Sequence, residues 1–115
     1  MSVKANIIID QGTDFSSTIT VTDDNGDITD LAGYTANGHI RKHYSSSTAT
    51  VFDCVFGTPS TDGKLTISLP RTVTGAMEAG RYVYDVELTN AVSNTRIRLI
   101  EGIATVTPEV TRAEP

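Results

Sequence analysis

Arg81-Tyr82-Val83-Tyr84-Asp85-Val86-Glu87-Leu88-Thr89 is the stretch that decides the fold. Side chains along a strand point alternately to opposite faces. Tyr82, Tyr84, Val86 and Leu88 therefore share one apolar face, while Arg81, Asp85 and Glu87 occupy the other together with Val83. This is a strand with one face in a core. Val83, the apolar residue on the otherwise polar face, is a candidate contact residue.

The same period of two recurs on both sides of this segment. Lys64 to Leu69 sets Leu65, Ile67 and Leu69 inward until Pro70 ends its ladder. Ala49 to Phe56 sets Phe52, Cys54 and Phe56 against Val51, Asp53 and Val55, and Thr35 to Lys42 sets Ala36, Gly38 and Ile40 against Asn37, His39 and Arg41. Near the start, Phe15, Ile19 and Val21 alternate with Ser16, Thr18, Thr20 and Thr22, and the run stops at Asp23-Asp24-Asn25-Gly26-Asp27, where Asn-Gly suits a tight turn. In Arg96 to Thr107, Ile97 and Leu99 alternate with Arg96 and Arg98 until Ile100 breaks the phase, which predicts a β-bulge near Glu101-Gly102. Thr72 to Gly80 holds Val73, Ala76, Met77 and Ala79 and predicts one short helical turn, with Gly80 as its C-cap. Ile7, Ile8 and Ile9 in Asn6 to Asp10 form a further short strand, buried on both faces or shared with a neighbour.

The count is about seven strands at a spacing of roughly 8–12 residues, without strand-helix alternation. The expectation is a single all-β domain over residues 1–115, an immunoglobulin-like antiparallel β-sandwich with one short helical turn. It lacks the tryptophan and paired cysteines of antibody domains, so the likeness is one of architecture.

Composition narrows the function. The chain is 38% hydrophobic and 20% charged, ordinary for a folded domain. Fourteen acidic against nine basic residues give a net charge of −5, which repels phosphate backbones and anionic lipid. Neither nucleic acid nor a membrane is an expected partner, and no stretch approaches the ~18 apolar residues of a spanning helix. The first ten residues contain one lysine and a three-residue apolar run, so no secretory signal is expected.

Reactive constellations are sparse, and the expectation is no enzyme, no cofactor and no metal. On a strand, His39 and His43 would lie about 13 Å apart, too far to share a metal directly. The loop at 23–27 lacks the ligand spacing and closing glutamate of a calcium-binding EF-hand. Asp85 and Glu87 form a carboxylate pair of the kind a glycosidase uses, but Arg81, Arg96 and Arg98 on neighbouring polar faces account for them as cross-strand ion pairs. Cys54, between Phe52 and Phe56, reads as a small buried apolar side chain.

Two features point to assembly. Ile7, Ile8 and Ile9 cannot all face one core from a half-exposed strand, so at least one meets a second sheet face or another subunit. Val106, Pro108 and Val110 run on into Thr111, Arg112 and the end of the chain, a tail with no reason to be ordered alone. Residues 1–10 and 108–115 are therefore the expected contact segments, with Ile7, Ile8, Ile9, Val83, Val110, Thr111 and Arg112 as candidate interface residues.

Several phrases of the sequence carry a resemblance: Ile9-Asp10-Gln11-Gly12-Thr13-Asp14-Phe15; Leu31-Ala32-Gly33-Tyr34-Thr35-Ala36 followed by Ile40-Arg41-Lys42; Gly80 to Leu88; and Glu101-Gly102 leading to Val106 through Arg112. Together, and over nearly the whole chain, they resemble small virion structural proteins of tailed bacteriophages, especially T4-like cyanophages. The chain is also similar to the amino-terminal sandwich module of phage baseplate upper proteins. The resemblance implies a repeated structural part of a phage particle, assembled in the host cytoplasm, with other virion proteins and copies of itself as partners. Such baseplate proteins continue into a long extension, whereas this chain stops soon after Arg112, so the expectation is a standalone adaptor in tail, baseplate or neck. The alternatives are a capsid decoration protein and a module binding cell-surface glycan.

Overall fold

The computed structural model describes residues 3–23 and 25–111. Nine strand segments run in the order β1 (Val3–Lys4), β2 (Ile7–Asp10), β3 (Phe15–Thr20), β4 (Tyr34–Arg41), β5 (Thr50–Val51), β6 (Asp53–Phe56), β7 (Lys64–Leu69), β8 (Gly80–Asn90) and β9 (Thr95–Thr107). One sheet has six strands, ordered β1-β9-β8-β4-β5 with β2 also on β9, and the other has three, ordered β3-β7-β6. The fold is a two-sheet β-sandwich of immunoglobulin-like architecture. The seven expected strands are all present: the expected Ala49 to Phe56 is divided into β5 and β6, and β1 (Val3–Lys4) is an added segment ahead of the expected Asn6 to Asp10.

The break between β5 and β6 is where the chain changes sheets. Val51 pairs with His39 in the large sheet, whereas Asp53 pairs with Ser68 in the small one. Phe52 makes the crossing. Its amide still donates to the Gly38 carbonyl at 2.9 Å, and its side chain, 3% exposed, lies between the sheets. Its ring centroid is 6.2 Å from Phe15 of the small sheet and 6.1 Å, edge-on, from Tyr84 of the large one. Gly38 lies directly beneath: a Cβ there would sit 2.8 Å from Cδ2 of Phe52.

The inward faces read from the sequence are the buried ones. Leu65, Ile67 and Leu69 of β7 meet Ile40, Tyr84, Val86 and Leu88 of β4 and β8, joined by Ile9, Val21, Leu31, Ala104 and Val106 in one core.

Three expectations need correction. The sandwich is not wholly antiparallel, since β1 and β2 both run parallel to β9. The bulge lies one turn of the pleat earlier than Glu101-Gly102: Val86 faces Ile100 and Glu87 faces Arg98, leaving Leu99 as the extra residue. The shift lets Leu99, 8% exposed, and Ile100 both join the core, which strict alternation forbids. The helical turn is only Arg71–Thr74, capped at Gly75, while Gly80 opens β8. Thr74, fully buried, donates from its hydroxyl to the Thr13 carbonyl at 2.7 Å, and Asp14 accepts the Arg71 amide at 2.8 Å. The turn is thus fastened to the loop before β3 at its own end and has no reason to continue.

The break between β1 and β2 is also specified. The Tyr84 hydroxyl donates to the Ala5 carbonyl, the Asn6 side chain accepts the Ile103 amide at 3.1 Å, and the Ala5 backbone lies against the Cα of Gly102, where a Cβ would collide with its carbonyl oxygen. Burial pushes the Tyr84 phenol above its ordinary pKa. A neutral acid held in this way stabilises the fold fully below its unfolded value of about 10, and that contribution is lost as pH climbs through the higher folded value. Denaturant midpoints followed upward from about pH 9 should therefore fall, and Tyr84→Phe should show a shallower decline from a lower starting stability.

Candidate functional site

Strand register builds the outer face of the large sheet. His39 of β4 stands beside Asp85 of β8, which stands beside Glu101 of β9, which stands beside Lys4 of β1. The next row is Asn37, Glu87 and Arg98, and the row on the other side is Arg41, Val83 and Ile103. Beyond Ile103 along the same face, Arg81 and Thr105 lead to Ile8 of β2.

The face has two zones. At the centre is an open depression of about 400 Å³ whose lining includes Asn37, His39, Asp85, Glu87, Arg98 and Glu101, with Arg41, Tyr44 and Val83 also lining it. Arg98 lies 3.3 Å from Asp85 and 3.6 Å from Glu101. Arg41 donates to the carbonyls of Ser46 and Thr48 at 2.9 and 3.2 Å and bonds Nδ1 of His39 at 3.3 Å. Of the arginines expected to neutralise this face, Arg98 does so, whereas Arg96 donates to the Thr89 hydroxyl. Towards the amino-terminal edge lies the second zone, apolar, where Ile8 is 67% and Ile103 38% exposed beside half-buried Val83.

The candidate interface residues do not stay together. Of the three isoleucines, Ile9 is completely buried and Ile7 packs against the core, which leaves Ile8 in water. The β-strand alternation in Ile7–Asp10 imposes this, since only every second side chain can face outward. Val83 shares the outer face with Ile8. Val110, 94% exposed, and Thr111 lie past the end of β9, and Arg112 falls outside the described residues.

The approach to the tail is fastened by this chain itself. Gln11 donates to the Met77 carbonyl at 2.8 Å and accepts the Glu109 amide at 2.9 Å, and the Thr107 hydroxyl donates to Asp10 at 2.8 Å. No sequence signal marked Gln11, because its role depends on three segments meeting.

The other singled-out groups have local roles. Oδ1 of Asp23 accepts the amides of Asn25 and Asp27, closing the 23–27 turn. His43 lies past β4, with its amide bonded to the Ser46 hydroxyl. Cys54 is half-buried, and burial, followed by the charge of Asp53, pushes its thiol pKa up.

Fold and face together define a class: a small immunoglobulin-like sandwich whose outer sheet face carries a mixed-charge depression beside an apolar edge. No family model and no curated protein matches the chain. Among solved structures, the crystal structure of Listeria monocytogenes InlP is similar, with a TM-score of 0.49 and 13% identity over 92% of this chain and 28% of that one. The chain thus spans less than a third of that protein's length.

Proposed function

We propose that this chain is a non-enzymatic virion structural protein of a tailed phage, an adaptor in tail, baseplate or neck that docks through the amino-terminal edge of its large sheet. The resemblance over nearly the whole sequence supports the virion assignment. The observation that carries the docking edge is Ile8, an apolar side chain 67% exposed on an edge strand beside exposed Ile103. Among the described residues, β2 pairs with β9 and with no second strand. Its free main-chain groups can accept an added strand, with Ile8 supplying side-chain specificity.

A non-enzymatic role is consistent with the carboxylates. Asp85, whose side chain is 36% exposed, is held by Arg98 in an open face, as in a structural cross-strand ion pair.

The test is the double substitution Ile8→Asp with Ile103→Asp. Both side chains are exposed, so each change should shift stability by only about 0.5 kcal/mol. Incorporation into assembled particles, measured by quantitative mass spectrometry, should fall about tenfold or more, the effect of ~1.4 kcal/mol lost at the contact. Wild-type incorporation of a folded double variant would overturn the reading. The same measurement gives copy number, and a count matching the head lattice would assign the chain to capsid decoration instead.

A further inference from the structure

The depression at the centre of the large sheet adjoins the apolar zone at Val83, which lines it, and its chemistry points to a ligand of its own. Three strands bring six polar side chains into two adjacent rows, His39, Asp85 and Glu101 in one and Asn37, Glu87 and Arg98 in the other. With strands about 4.8 Å apart, the rows are roughly 10 Å wide, a floor on which one sugar ring and its hydroxyls can lie.

Donors and acceptors are mixed across that floor. The carboxylates accept only, Arg98 donates only, and Asn37 does both. Because the Arg41 guanidinium can only donate, its bond to Nδ1 of His39 makes that nitrogen an acceptor and leaves Nε2 as the N–H of a neutral ring. The charges largely cancel: Asp85, Glu87 and Glu101 face Arg41 and Arg98, a net of one negative charge. Arg98 is held between two carboxylates, and one nitrogen of Arg41 is committed to two carbonyls. An ionic ligand meets little field here, whereas vicinal hydroxyls, each a donor and an acceptor, match every group. Tyr44, 85% exposed, also lines the depression and offers an aromatic face in water that a flat apolar ring surface can cover.

We propose that this depression binds a hexose unit of an uncharged glycan, with Tyr44 stacked on the C–H face of the ring and Asn37, His39, Asp85, Glu87 and Arg98 bonded to its hydroxyls. The inference does not depend on the virion assignment, since the free domain carries the whole site.

The experiment uses the purified chain against an array of neutral and acidic oligosaccharides, followed by NMR titration with the best binder and, in parallel, with a lysine-rich peptide. A neutral glycan should bind, with amide shifts centred on residues 37–44, 83–87 and 98–101. Binding should be nearly independent of salt, as expected where no ion pair forms between ligand and site. Tyr44→Ala and Glu87→Gln should each weaken it about tenfold, the effect of ~1.4 kcal/mol, with unchanged thermal midpoints. Absence of any neutral glycan hit, shifts located elsewhere, full affinity in Tyr44→Ala, or preferential salt-sensitive binding of the cationic peptide would each overturn the proposal.

Discussion

Phe52→Ala should lower the unfolding free energy by about 3–5 kcal/mol, read as a shift of the urea midpoint at unchanged slope. Phe52 holds both sheets at once, at 3% exposure with Phe15 on one side and Tyr84 on the other. Removing the ring leaves a void between layers that backbone relaxation cannot readily close, because the chain is crossing from Val51 in one sheet to Asp53 in the other at that point. Against a typical total of about 5–15 kcal/mol, the loss is a large fraction. Phe52→Leu, which keeps most of the volume, should cost well under half as much. Equal costs for the two variants would mean that the space between the sheets is not filled by the ring.

Gly102→Ala should cost about 2–3 kcal/mol, within the usual range for forcing atoms into a packed site. The added methyl would collide with the backbone carbonyl of Ala5, and backbone cannot swing aside as a side chain can. The damage should be directional. Among the described residues, β1 and β2 pair with β9 and with no other strand, so hydrogen exchange should accelerate first at residues 3–10 while β7 and β8 stay protected. Tyr84→Phe removes only the hydroxyl that meets the same carbonyl, and a single hydrogen bond is worth about 1 kcal/mol. Uniform acceleration across both sheets in Gly102→Ala would show that the amino-terminal strand is not separately fastened.

Much of the fold was legible before any coordinates. The inner faces of β3, β4, β6, β7 and β8 follow from the period of two, and the 23–27 turn follows from its residues. The bulge was legible as a break in phase at Ile100, although its location at Leu99 depended on which residues of β8 lay opposite. The helical turn was legible to within one residue of its start at Arg71, but not its end, where Thr74 is tied by a hydrogen bond to distant Thr13. At the outer face, sequence marked Asp85, Glu87 and the arginines as one polar surface but did not link His39, Asn37 and Tyr44 to them. Those residues lie some forty to fifty positions away, and only the pairing of β4 with β8 brings Asn37 and His39 alongside, with Tyr44 just past the end of β4.

Alternation is a local property, set by the geometry of each residue and its neighbours, so the sequence by itself determined the inward faces of β3, β4, β6, β7 and β8 and that the domain is a layered β structure. Partnership between strands is not local. The parallel seating of the amino-terminal strand on β9, the division of Ala49 to Phe56 between two sheets, and the rows of the outer face were decided only by the tertiary structure, where all the apolar faces must be buried against one another at once.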